Sequence, residues 1–386
     1  YKRQVFLILS FYSGVGGWCI KYMVDAVIGR GLISDPELLG THFGAFVSDG
    51  SMSFLYMMIF LGITSVVVLR GIQGGIERVA KVLMPALFIL MLIIIVRGLT
   101  LPGGLAGLEY LFAPRWEDFN ASALFNAMGF CFFSLSLGAG TMITYGSYLG
   151  KNENLPKNSV IIVISDTMVA IMAGLAVIPA AVANGIAKGM AVSEIKLGGP
   201  NLLFATLQDV FHDMGTIGGI FGLIFYALVL IAAISSAISL IEAVSVTFID
   251  HASAKGHERD RNKVLAVVCL AITLLACLVA VDGLGSNGIA PKDLFHINSK
   301  ADWCADWLDF MDMISEGIAM PLGAMLMSIM VGWEIKPKSL YGEIDSGYNG
   351  HIHGFYTFCI KYLCPVIMFF ILLVQISTFF GLGWFN

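Results

Sequence analysis

Charge is what this chain has least of. Only 13% of its 386 residues are Asp, Glu, Lys or Arg, about half the share found in soluble globular domains, so it cannot dress itself in a solvated shell. Histidine is sparse and peripheral: His42, His212, His251, His257, His296, His351 and His353 all fall in loops or at the edges of apolar segments, and neither HExxH nor GxGD occurs. A hydrolase working within a membrane needs a Ser/His dyad, an aspartate pair or a metal motif in those segments, so no enzyme is indicated. Cysteine supplies no disulfide framework, because six of the seven sit inside apolar segments and Cys304 stands alone in a loop. The basic run KGHERDRNK has no aromatics interleaved with it, which argues against nucleic acid as a partner and leaves a loop anchor. An n-region and a cleavage site are missing too. The chain opens at Tyr1 and runs straight into an apolar helix, as expected of a fragment whose upstream part is absent.

What is abundant is apolar surface. Hydrophobic residues make up 58% of the chain and mean hydropathy is +0.84, which predicts an all-α, polytopic membrane protein embedded in a lipid bilayer. Nine segments are long and apolar enough to cross: 4–28, 51–69, 79–98, 122–148, 158–184, 217–249, 264–282, 307–333 and 356–382. With the N-terminus in the cytoplasm, 14 of the 22 Lys and Arg residues fall on or near the inner side, which predicts that orientation and an external C-terminus.

The fourth segment is interrupted. Phe132 to Tyr148 reads FFSLSLGAGTMITYGSY, where Ser134, Ser136, Gly138 and Gly140 pull a helix apart at mid-bilayer depth. An unpaired backbone group in hydrocarbon costs several kcal/mol, so such a break persists only where protein, water or a ligand satisfies it. A kinked structural helix would use the same residues. Asp166 stands inside the apolar stretch 158–184, where a carboxylate is by default functional, although it could also cap a frayed helix start. Ser235 and Ser236 point about 100° apart on a helix, so they serve one ion only at an edge facing a cavity; packing by small residues is the rival reading. Tyr12, flanked by apolar runs, can aim its phenol into a cavity or simply be a satisfied core residue. Glu242 promises a polar contact, and Lys21 and Asp25 form an i,i+4 pair.

Seven stretches in order, SFYSGVGGW, RGIQGGIERVAKVLMPALF, GLEYLFAP, FFSLSLGAGTMITYGSY, DTMVAIMAGLAVIP, AAISSAISLIE and PLGAML with GW, make the chain similar to the neurotransmitter:sodium symporter family, specifically its bacterial amino-acid transporters. The resemblance implies an inverted-repeat, leucine-transporter-like fold whose first two transmembrane helices are lacking, the nine segments being the family's third to eleventh. Residues 1–98 would be the remainder of the first repeat, 122–333 the second repeat and 355–386 an extra helix. It implies sodium-coupled symport of an amino acid by alternating access in a bacterial cell membrane; a non-transporting fragment or transporter-like sensor is the alternative, because the first broken helix is absent. It leaves the oligomeric state open.

Residue by residue, the resemblance assigns Tyr12 to the substrate carboxylate, Phe133 to the lid over the substrate, and Ser136, Leu137 and Gly138 to the unwound stretch lining it. Ala139, in place of a larger side chain, would widen a pocket walled by Ile8 and Leu240, suiting a hydrophobic or aromatic amino acid. Ser134 and Asp166 match the first sodium site; the Ala232 carbonyl with Ser235 and Ser236 matches the second. Animal relatives balance sodium with chloride through a serine where this chain has Ala170, so Asp166 is expected to supply that charge and chloride not to be required. Asp312 matches the outer gate, and Tyr148 and Asp250 the inner gate, with arginine partners that lie beyond this chain. Gly75 and Pro85 match a Gly-x9-Pro feature that lets one span unwind.

Overall fold

Backbone in hydrocarbon must satisfy its own donors and acceptors, and the chain does so with helices. The computed structural model describes residues 4–28, 36–70, 77–150, 153–195, 197–254, 260–296, 302–345, 352–382 and 384, among which no β-strand occurs. The helices are α1 (Gln4–Val27), α2 (Pro36–Ser48), α3 (Gly50–Leu69), α4 (Glu77–Thr100), α5 (Gly104–Phe112), α6 (Ala121–Ser134), α7 (Thr141–Gly146) and α8 (Leu155–Ala187). There follow α9 (Leu207–Asp213), α10 (Gly218–Ala254), α11 (Arg261–Asp282), α12 (Trp307–Ile335) and α13 (His353–Phe379), with shorter turns between. Eight of these are long and apolar enough to span a membrane, and α6 with α7 forms the interrupted ninth segment. Three short helices, α2, α5 and α9, join the spans and lack the length that a hydropathy pattern detects.

The bundle is built around α1. Its most apolar window is 72% buried within the protein, against 6% for that of α8, so α1 is the central post and α8 a peripheral helix. α1 packs on α3, α10 and α11, while α8 rests on α4 and α5. Glycine permits the tightest of these contacts: a Cβ on Gly17 would lie 2.6 Å from the Met57 backbone nitrogen, and one on Gly16 2.5 Å from the Phe60 ring. Small residues that let backbones approach are the usual device for joining helices in lipid, where apolar burial alone gives little drive. Farther along α1, Trp18 meets Phe43 and Phe204 edge-on at 5.4 and 5.8 Å, and Phe204 stacks on Phe43 at 5.3 Å. This aromatic cluster ties α2 to the spans. The predicted Lys21–Asp25 pair is present and is joined by His42 of α2 at 3.5 Å.

Two spans carry a widened turn just before a proline. Pro321 and Pro365 have no N–H to give and their rings crowd the carbonyl four residues back, and each follows a widened π-helical turn, Met313–Ala319 and Cys359–Leu363. Asp312 and Glu316, at this turn in α12, share a cavity with Phe132 and Phe133 at the end of α6. Gly75 lies outside the described residues, so only Pro85 of the Gly-x9-Pro expectation is placed, inside α4.

Gly17→Ala forces α1 and α3 apart and is expected to lower stability by about 1–3 kcal/mol. Gly62→Ala on α3, where an added Cβ meets nothing within 4 Å, is expected to leave stability unchanged or raise it. Thermal unfolding in detergent, followed by tryptophan fluorescence, distinguishes the two; equal effects would contradict the close approach.

Candidate functional site

The helix break has a definite local cause. At the end of α6 the Leu137 N–H donates to the Phe132 carbonyl at 2.9 Å and the Ser136 N–H to the Phe133 carbonyl at 2.8 Å. This pair of bonds is a Schellman motif, which needs a left-handed residue at Ser136. Its φ is +53°, and an L-residue there costs about 1–2 kcal/mol. Gly138 and Gly140 continue the irregular path at φ +81° and +85°, and α7 begins at Thr141. The break is held from both sides: the Gln4 side chain of α1 donates to the Gly138 carbonyl at 2.8 Å, and a Cβ on Gly138 would lie 2.7 Å from the Met320 carbonyl of α12. Protein therefore shields the stretch from lipid.

Next to it lies a cavity of about 590 Å³, within the range of small-molecule sites. Tyr12, Phe133, Ser134, Ser136, Ala139, Asp166, Ser235, Ser236 and Leu240, all singled out from the sequence, line it together. Gly138 and Ala232 do not: Gly138 packs against Met320, and the Ala232 carbonyl accepts the Ser235 hydroxyl at 2.8 Å. The polar side is a set of oxygens. Ser134 donates to Asp166 at 2.6 Å across 32 residues of sequence, Tyr12 and Ser236 line the same cavity, and the Tyr145 and Ser239 hydroxyls meet at 2.8 Å. The Thr141 hydroxyl is buried without a partner. Ile8, Leu83, Met84, Ala139, Leu240 and Met320 make the remaining wall apolar.

Asp166 is half-buried, and among the described residues no cationic side chain pairs with it. A carboxylate beside hydroxyls, with no imidazole or thiolate among the lining residues, is suited to a hard cation. Among the described residues no cluster of three or more His, Cys, Asp or Glu could hold a transition metal. The phenol and hydroxyls opposite can donate to an anionic group.

The expected gate residues lie off this cavity. Asp312 and Glu316, four residues apart on α12, line a second cavity of about 340 Å³, and Phe133 lines both spaces. Tyr148 donates to Glu242 at 2.8 Å, and Glu242, fully buried, also accepts from Arg261 of α11 at 2.5 Å. Asp250 is exposed near Tyr148. Sequence reasoning missed Thr141, Tyr145, Ser239, Glu316 and Arg261. Helical spacing could have found some of them, since Ser239 lies four residues after Ser235 and Glu316 four after Asp312.

Comparison with known proteins agrees across most of the chain. The family profile described as Sodium:neurotransmitter symporter family matches residues 42–386. An uncharacterized sodium-dependent transporter of Bacillus subtilis, YhdH, is 32% identical over 378 residues, covering 97% of this chain and 78% of that protein. Another from Haemophilus influenzae is 30% identical over 382 residues, covering 97% and 77%. Among solved structures, the crystal structure of MhsT in complex with L-phenylalanine superposes with a TM-score of 0.81 at 30% identity, over 97% of this chain and 79% of that one.

Ser136→Gly relieves the left-handed strain and Ser136→Ala keeps it, so the glycine variant is expected to be about 1 kcal/mol the more stable. Paired thermal unfolding curves measure the difference; an alanine variant as stable as the glycine one would contradict the Schellman geometry.

Proposed function

Because the chain belongs to the sodium:neurotransmitter symporter family, we propose that it carries a hydrophobic or aromatic amino acid together with sodium by alternating access. The observation that carries this reading is the Ser134–Asp166 contact at the edge of a mixed polar and apolar cavity beside a broken helix. In the proposed arrangement Tyr12 donates to the substrate carboxylate, and the unwound stretch Ser136–Gly138 receives the ammonium. The side chain enters the space beside Ala139, walled by Ile8 and Leu240. Phe133, which stands between the two cavities, closes over it. MhsT, a solved relative, is bound to L-phenylalanine, and the apolar lining here is compatible with a similar cargo.

Sodium is a transported substrate in this scheme. Ser134 and Asp166 hold one ion, and Ser235, Ser236 and the Ala232 carbonyl a second. Each replaces part of a hydration shell with fixed oxygens, and the full charge on Asp166 removes the need for chloride. Coupling is thermodynamic: sodium and amino acid together stabilise closed states that neither stabilises alone, and the ion gradient sets the direction. Tyr148 and Asp250 form the gate at one end of the bundle and Asp312 that at the other. The excess of Lys and Arg at the Tyr148 end orients it toward the cytoplasm.

Uptake of radiolabelled phenylalanine into proteoliposomes tests the proposal. Uptake is expected to need an inward sodium gradient and to be unchanged when gluconate replaces chloride; sodium-independent uptake overturns the coupling, and strict chloride dependence overturns the role of Asp166. Asp166→Asn is expected to cut uptake at least about tenfold, equivalent to about 1.4 kcal/mol. Ala139→Leu should favour alanine over phenylalanine, and an unchanged preference would move the side-chain pocket elsewhere.

A further inference from the structure

A second large concavity shares no residue with the central cavity. It opens between α1, α10 and α11, has a volume of about 610 Å³, and is walled by Phe6, Phe248, Val264, Val267, Val268 and Ala271. Phe6 and Phe248 meet edge to face with ring centroids 6.0 Å apart, which gives the groove a defined aromatic wall. Val267 is 67% exposed, so the groove faces outward from the bundle.

Its rim is charged with both signs. Asp260 and Lys263 complete the lining in the first turn of α11, and both are exposed. One oxygen of Asp260 caps the helix by accepting from the Asn262 N–H at 2.9 Å, and among the described residues the other has no hydrogen-bond partner. No ion pair among the described residues uses either charge. The pair sits where a span emerges from hydrocarbon. From Lys263 to Ala271 the helix descends about 12 Å, so the apolar wall lies at acyl-chain depth below a zwitterionic rim.

We propose that this groove binds a phospholipid whose headgroup joins a primary ammonium to its phosphate, as phosphatidylethanolamine does. Lys263 meets the phosphate, Asp260 accepts from the ammonium, and one acyl chain lies along Val264, Val267 and Ala271 against the two phenylalanines. A purely anionic headgroup would face Asp260 unfavourably, and a trimethylated one has no N–H to donate. Arg261, between the two rim charges, reaches Glu242 and through it Tyr148. A seated lipid therefore steadies the turn that holds this tie.

The test is native mass spectrometry of the full chain released from an equimolar mixture of phosphatidylethanolamine, phosphatidylglycerol and phosphatidylcholine. Retention of the ethanolamine lipid is expected to exceed the other two by about fivefold, the upper end for exposed charge pairs. Asp260→Asn keeps a competent helix cap and removes only the charge, so it should shift preference to phosphatidylglycerol. Lys263→Gln should lower retention of both, with unchanged melting temperatures confirming the fold. Equal retention of the three lipids, a preference untouched by either variant, or a lipid-free dimer occluding the groove would overturn the proposal.

Discussion

Everything at the centre of this protein follows from the cost of an unpaired backbone group in hydrocarbon. The helix from Ala121 stops at Ser134 because a left-handed Ser136 closes a Schellman motif, and it restarts only after Gly140. Six residues of irregular backbone then need partners. Gln4 supplies one from α1, and α12 comes close enough that only glycine fits at 138. The widened turn before Pro321 sits in the same wall, so the irregularities of two spans face each other across one region. The well-packed helices α1, α3, α10 and α11 form the frame against which this strained segment is held.

The frame explains why polar groups gather where they do. A hydroxyl or carboxylate on the lipid face of a span is costly, whereas one turned toward the break gains partners. Ser134 and Asp166 meet there from different helices, as do Tyr145 and Ser239. At one end of the bundle Glu242 gathers Tyr148 and Arg261, joining α10 and α11 to the residues just after α7. At the other, Phe133 stands between the central cavity and the carboxyl pair Asp312–Glu316. A cavity bounded at both ends by contacts of this kind suits a carrier that exposes its cargo to one side at a time, in keeping with a family of sodium-coupled transporters.

Much of this is legible in the sequence. The eight long apolar helices among the described residues follow from hydropathy, and the break in the ninth segment follows from two serines and two glycines in one apolar run. Asp166 stands out because a carboxylate inside an apolar span is costly and by default functional. The contact between Ser134 and Asp166 is another matter: 32 residues and a change of helix separate them, and only the family resemblance paired them in advance. Glu242, which accepts from Tyr148, and Glu316, which shares a cavity with Asp312, are neighbours that the sequence pattern alone does not pair with them. Helical periodicity names residues on one face, but which neighbouring helix that face meets depends on packing. The groove by Lys263 was invisible for the same reason, since three separate helices build it.

The account rests on the stretch from Leu135 to Gly140 being a cradle that ions and substrate complete. Hydrogen–deuterium exchange of those amides in lipid nanodiscs tests it most directly. The prediction is fast exchange relative to α6 and α10 in potassium buffer, a partial slowing with sodium, and strong protection only when sodium and a hydrophobic amino acid are both present. Full protection in potassium alone, or exchange indifferent to both ligands, would contradict it.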